Sequence, residues 1–162
     1  MKRMWLLLAV ALSAVTMGAQ GIAGQRLRFA GVPLGGAFPE FVAQMEATGF
    51  DCLQRQDTLA ILSGKYAGIR RCSVMAYAAP ATLTTDRVVV VCPPEDRWNK
   101  LEGRYAELKA VLTNDYGAPA ECVEVFAGKQ KPVTGAEKMS ALFAGDCTFR
   151  ARFHTVGGDV EL

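Results

Sequence analysis

The chain has 162 residues, 51% of them hydrophobic, enough for a core, with 18 basic and 16 acidic side chains. Lys2 and Arg3 are the only charged residues among the first 21, so the remainder carries 16 of each sign and is formally neutral. That balance argues against nucleic acid or an anionic membrane as a partner, and the length suits one domain that buries roughly two-thirds of its unfolded surface.

Met4 to Val15 is an uncharged apolar run behind the basic pair Lys2-Arg3. A basic start, an apolar stretch and a small, polar tail from Thr16 to Gly21 form the pattern of a secretory signal peptide. The run is about a dozen residues, short of the roughly 20 that cross a bilayer. Residues 1–21 are therefore expected to be an export signal cut after Ala19 or Gly21, and residues 22–162 a single periplasmic or secreted domain with no stable membrane insertion.

Residues 22–36 read as an arm with a short strand at Leu27 to Phe29, ending in a glycine-rich stretch, Gly31 to Gly36. A helix follows from Pro39, a residue suited to the first helical position. Phe38, Phe41, Val42 and Met45 form its apolar stripe, and Gly49 is its expected stop. Three strands come next: Leu59 to Ser63, Ile69 to Ala78 and Arg87 to Cys92. Their short links predict an antiparallel meander. In the second strand Cys72, Val74 and Ala76 share one face.

Pro93-Pro94 precedes a longer helix, expected over about Glu95 to Asn114, with Trp98, Leu101, Tyr105, Leu108 and Leu112 on one face. Tyr116-Gly117-Ala118-Pro119 ends it in the usual glycine-then-proline order. The last third reads as a strand, Glu121 to Phe126, a polar loop with Lys129 and Lys131, and a short helix, Ala136 to Phe143. A strand from Cys147 to His154 and a final strand from Asp159 to Leu162 follow. The outline is α+β: an antiparallel sheet with helices packed on one face, in two helix-plus-three-strand halves.

Several pieces carry a resemblance: Phe29-Ala30-Gly31-Val32-Pro33-Leu34-Gly35-Gly36, Gly64-Lys65-Tyr66-Ala67-Gly68, Trp98-x-x-Leu101-x-x-x-Tyr105-x-x-Leu108-Lys109 and Tyr116-Gly117-x-Pro119. Together they resemble a group of small, exported, uncharacterised periplasmic proteins of Bacteroidetes-type bacteria. The tandem layout resembles the β-lactamase-inhibitor-protein-like architecture. These motifs concern packing, and the resemblance implies no catalytic residues.

All five cysteines lie beyond the export signal, in a compartment where thiols tend to oxidise. An antiparallel hairpin centred near Thr82 places Cys72 opposite Cys92, Val74 opposite Val90 and Ala76 opposite Val88, and so predicts a Cys72–Cys92 disulfide. By elimination Cys122–Cys147 is the second expected bridge and Cys52 the free thiol. Buried free thiols are the alternative. No Cys-x-x-Cys spacing supports a redox motif or a zinc ribbon.

The only histidine, His154, sits on the polar face of its strand beside Arg150 and Arg152. With no second histidine or paired cysteine it makes no ordinary zinc site. There is no Gly-x-Ser-x-Gly elbow, and Ser63-Gly64-Lys65 lacks the upstream glycine of a phosphate loop. Neither a catalytic set nor a cofactor site is expected. Arg70, Arg150, Arg152 and His154 are the expected partner surface. The leading expectation is a non-catalytic exported domain that binds a protein, peptide or envelope component. The alternative is a hydrolase with a cysteine- or carboxylate-based site.

Overall fold

The computed structural model describes residues 9–13, 27–128 and 131–162. In chain order the elements are β1 (Ala9–Ser13), β2 (Arg28–Phe29), β3 (Val32–Pro33), α1 (Phe38–Ala47), β4 (Asp51–Arg55), β5 (Leu59–Tyr66), β6 (Ile69–Ala78) and β7 (Thr85–Val91), then α2 (Trp98–Tyr116), β8 (Glu121–Phe126), α3 (Gly135–Ala144), β9 (Cys147–Thr155) and β10 (Gly158–Glu161). The fold is α+β and its strand pairs are antiparallel. The main sheet runs β4-β5-β6-β7-β1-β10-β9-β8, and β2 and β3 form a separate small hairpin.

The middle of the sheet holds an unexpected strand. Ala9–Ser13, inside the expected export signal, pairs with β7 on one side and β10 on the other. Without it the sheet consists of a four-stranded unit, β4 to β7, and a three-stranded unit, β8 to β10. The rest of the signal segment, both expected cleavage points and Lys129 lie outside the described residues. No helix among the described residues is long and apolar enough to cross a membrane.

The two halves are less alike than the sequence pattern suggests. The first has four strands, because Asp51–Arg55 forms an edge strand. A bulge between Cys52 and Gln54 interrupts its pairing with β5, and Leu53 is left exposed. That bulge breaks the alternation by which half-buried strands are recognised. The second half carries α3 between β8 and β9. Thr134 and Glu137 close a reciprocal capping box at its start, a Thr-x-x-Glu signature present in the sequence.

One face of the sheet is buried. Ala60, Leu62, Cys72, Val74, Ala76, Val88, Val90, Ala151, Phe153 and Val160 all lie on it, and the α1 stripe of Phe38, Phe41, Val42 and Met45 packs into the same core. Burying each such large side chain contributes about 1.5–3 kcal/mol. In α2, Trp98, Tyr105, Leu108 and Leu112 are buried as expected and Leu101 is half-buried. The helix starts at Trp98, so Glu95 and Asp96 precede it, and Glu95 instead pairs with Arg104 at 2.5 Å. Gly64 is needed for close approach: a Cβ there would collide with the ring of Phe50.

β6 and β7 pair in the expected register: Val74 lies opposite Val90 and Ala76 opposite Val88. The Sγ atoms of Cys72 and Cys92 are 4.0 Å apart and both are free thiols, as are the other three cysteines. The second expected bridge is overturned by register. Cys122 lies opposite Ala151 and Cys147 opposite Phe126, so the two are offset by four residues, roughly 13 Å along the strands.

Candidate functional site

Three hairpin tips and the end of a helix meet around a cleft of about 630 Å³. The tips are Ala30-Gly31 between β2 and β3, Ala67-Gly68 between β5 and β6, and the turn after Thr155 between β9 and β10. The first two are alike in backbone: Ala30 and Gly31 have φ of 49° and 83°, Ala67 and Gly68 of 47° and 83°. Positive φ at both central residues is the turn that suits the right-handed twist of a two-residue hairpin. Glycine adopts it freely, whereas alanine does so at a cost of about 1–2 kcal/mol. Both strained alanines lie on the cleft wall.

The polar lining comes from distant parts of the chain. Arg28 is held by a hydrogen bond from its guanidinium to the Gly31 carbonyl, 2.8 Å. Tyr116, at the end of α2, donates its hydroxyl to the Arg28 carbonyl at 3.0 Å. The Tyr66 ring stacks on Phe29 with centroids 4.9 Å apart. Burial, then the nearby Tyr116 and Asp115, hold the Tyr66 hydroxyl protonated far above its ordinary range. Burial and Asp115 raise Tyr116 in the same way. Both phenols therefore stay neutral donors, next to the Asp115 carboxylate. Val156, at the third tip, is 91% exposed and adds an apolar lip.

His154 reaches the same cleft. Its Nδ1 is 2.7 Å from an Asp159 carboxylate oxygen, across the β9–β10 pair. The hydroxyl of the adjacent Thr155 is occupied by its own turn: it donates to the Gly158 carbonyl and accepts from the Gly157 amide. No thiol is among the hydrogen-bond partners of His154.

The expected basic partner surface is corrected in two respects. Arg150, Arg152 and His154 do share the outer face of β9, but each faces a carboxylate. Arg150 bonds Glu121 at 2.5 Å, and Arg152 bonds Glu161 at 2.8 Å with Glu121 at 3.8 Å. Two arginines and the His154 imidazole meet Glu121, Asp159 and Glu161, so the strip is a ladder of cross-strand pairs. Cross-strand opposites at antiparallel positions are the cause. Arg70, in turn, sits beside a bulge at the start of β6 where Arg71 has φ of 59°. Four strand spacings, roughly 19 Å, separate β6 from β9, so Arg70 does not join the others.

A second cluster was not legible in the sequence. Lys109 and Tyr105 on α2 meet Cys122 and Glu124 on β8. Glu124 takes an ion pair from Lys109 and a hydrogen bond from the Cys122 thiol at 3.4 Å, and Lys109 lies over the Tyr105 ring. The Lys109 contact holds the Glu124 carboxyl below its ordinary range. Burial and the bond to Glu124 raise the Cys122 thiol, so the sulfur stays protonated and is a poor nucleophile.

Among the described residues no three His, Cys, Asp or Glu side chains converge where a metal ion could be held. Comparison with protein-family models, with curated proteins and with solved structures found no match to this chain.

The cleft residues Tyr66, Asp115 and Tyr116 were missed by reasoning from sequence. One clue was present: Phe29-Ala30-Gly31-Val32 and Tyr66-Ala67-Gly68-Ile69 share an aromatic-Ala-Gly-β-branched pattern. Each aromatic ends the strand before a two-residue turn, and the two rings stack.

Proposed function

We propose that this is an exported binding domain of the periplasm or cell exterior that grips a peptide or protein segment in the cleft at the three hairpin tips. The observation that carries the reading is the composition of that cleft. It offers a guanidinium, a carboxylate, the neutral phenol of Tyr66 and an apolar lip from loops set on one sheet. A peptide supplies the matching carbonyls, charges and side chains. Loops positioned by a scaffold are where recognition residues concentrate, and a concave site with a few convergent polar groups is the usual form of a binding site. The resemblance to small periplasmic proteins agrees with this placement. Export also favours a Cys72–Cys92 disulfide, since the two thiols are neighbours in the core.

The test is capture from envelope extract by the exported protein and by three variants. Asp115→Lys and Val156→Glu alter the cleft, and Thr148→Lys alters the outer sheet face. The expected result is a captured species lost with both cleft variants and retained with Thr148→Lys. Equal capture by all three would place recognition elsewhere.

A hydrolytic reading has one observation in its favour, the His154–Asp159 pair at the cleft rim. An imidazole oriented by a carboxylate is a general-base arrangement. With Thr155 committed to its turn, the base would act on water. Hydrolysis of ester or peptide substrates that disappears in His154→Ala would establish it over simple binding.

A further inference from the structure

The position of Ala9–Ser13 carries an inference that concerns a different part of the molecule from the cleft and rests on the export reading. Among the described residues of the full chain this segment is the strand that joins the two halves of the sheet. It pairs along its length with Arg87–Val91 of β7 and over three residues with Asp159–Glu161 of β10, antiparallel to both. β7 and β10 therefore run parallel to each other, about 10 Å apart with one strand between them. Cleavage after Ala19 or Gly21 removes the whole of β1. Both flanking strands would then present unpaired backbone groups to the same gap, a state that templates pairing with another chain.

The layer above the sheet opposes closure of that gap. The β2–β3 hairpin touches both halves: Phe29 stacks on Tyr66 of β5, and the Arg28 carbonyl accepts from Tyr116 of α2. The segment after it is bonded to β7 and its loop through Gly35 to Thr85 and Phe38 to Leu83. Bringing β7 against β10 would shift these contacts by about one strand spacing, roughly 5 Å. The floor of the gap is apolar, since Val88, Val90 and Val160 are fully buried in the full chain. A second processed copy also lacks Ala9–Ser13 and has no such strand to donate.

We propose that export converts the β1 position into an open slot, and that an extended, alternating apolar segment of a partner polypeptide fills it as a strand antiparallel to both β7 and β10. The pairing pattern specifies that segment. It is at least five residues long, with apolar residues at its second and fourth positions, which lie opposite Val90 and Val88. Main-chain hydrogen bonds to two edges supply affinity, and the alternate positions supply selectivity.

The experiment uses protein exported from a bacterial host and the same chain recovered unexported. Intact mass is measured first; exported protein that retains Ala9–Ser13 overturns the proposal by itself. Hydrogen exchange then follows the amides of β7 not bonded to β6 and those of β10 not bonded to β9. The probe is a synthetic peptide of residues 8–14 with added terminal lysines. Its control carries Ala11→Pro, which removes the central N–H. The expected result is slow exchange in the unexported chain, fast exchange in the processed chain, and at least about tenfold slowing by the first peptide only. If the processed chain is unfolded alone, a gain of circular dichroism with the first peptide and not the second supports the slot. Three further results overturn it: protection in peptide-free processed monomer, where the halves have closed together; the same protection in a processed dimer; or no response to the peptide. The two readings fail separately: the slot on the response of β7 and β10 to the peptide, the cleft on capture by the Asp115 and Val156 variants.

Discussion

The Sγ atoms of Cys72 and Cys92 face each other at 4.0 Å on the buried side of the β6–β7 hairpin, one step beyond the Ser73–Val91 pair. Burial comes first among the causes that push the Cys92 thiol up to about 12, so its sulfur is a poor nucleophile in the folded state, and Cys72 is closed off from solvent. Oxidation is therefore expected during folding, before the core closes. The two thiols give up two protons and two electrons to the disulfide of an exchange partner, which leaves as a dithiol. Exported protein, alkylated and digested without reductant, should yield Cys72 and Cys92 in one linked peptide and Cys122 and Cys147 as separately alkylated ones. Recovery of Cys72 and Cys92 as separate alkylated peptides would leave two buried free thiols.

Leu108 is 1% exposed, in the seam between α2 and the sheet, whereas Glu107 points to solvent. Leu108→Ala should cost about 2–5 kcal/mol, as for a buried leucine that leaves a cavity. Glu107→Ala should stay within about 0.5 kcal/mol. Denaturant melts of the two variants measure the difference, and equal costs would mean that α2 presents another face.

Ala30 and Ala67 occupy positive-φ positions that asparagine and glycine tolerate better. Ala67→Asn should therefore stabilise the protein by about 0.5–1 kcal/mol, and Ala30→Asn by a similar amount. If the cleft is the binding site, the same changes should weaken capture of the ligand, because both residues line it. Thermal melts alongside the capture assay separate these effects. A loss of stability would contradict the turn geometry.

The Lys109–Glu124 pair makes a signed prediction about pH. The Glu124 carboxyl titrates below its ordinary value in the folded protein, chiefly because the Lys109 ammonium bonds it. Its contribution is thus complete above the ordinary carboxylate range and is lost as pH falls through the lower, folded value. The pair is partly exposed, so the contribution should be under about 1 kcal/mol. Urea midpoints of the native chain should fall more steeply between about pH 5 and about pH 3 than those of Glu124→Gln. Parallel slopes would remove Glu124 from the account.

Much of this fold was determined by sequence alone, where the information is local. The α1 stripe and the α2 face follow from helical periodicity. The β6–β7 register follows from a short connection and an apolar face that a one-residue slip would turn outward. What lay beyond the sequence depends on which distant segments become neighbours. Asp51–Arg55 becomes a strand because β5 offers it an edge, although its own alternation is broken. Arg150 and Arg152 read as a free basic strip until pairing brings Glu121 and Glu161 opposite them. The cleft joins Arg28, Tyr66, Tyr116 and His154 through three turns that no sequence spacing connects. The place of Ala9–Ser13 between β7 and β10 is the clearest case. An apolar run suits the export pattern and the centre of a sheet alike, since both select hydrophobicity, and its pairing with β7 and β10 rests on distant partners that no local pattern encodes.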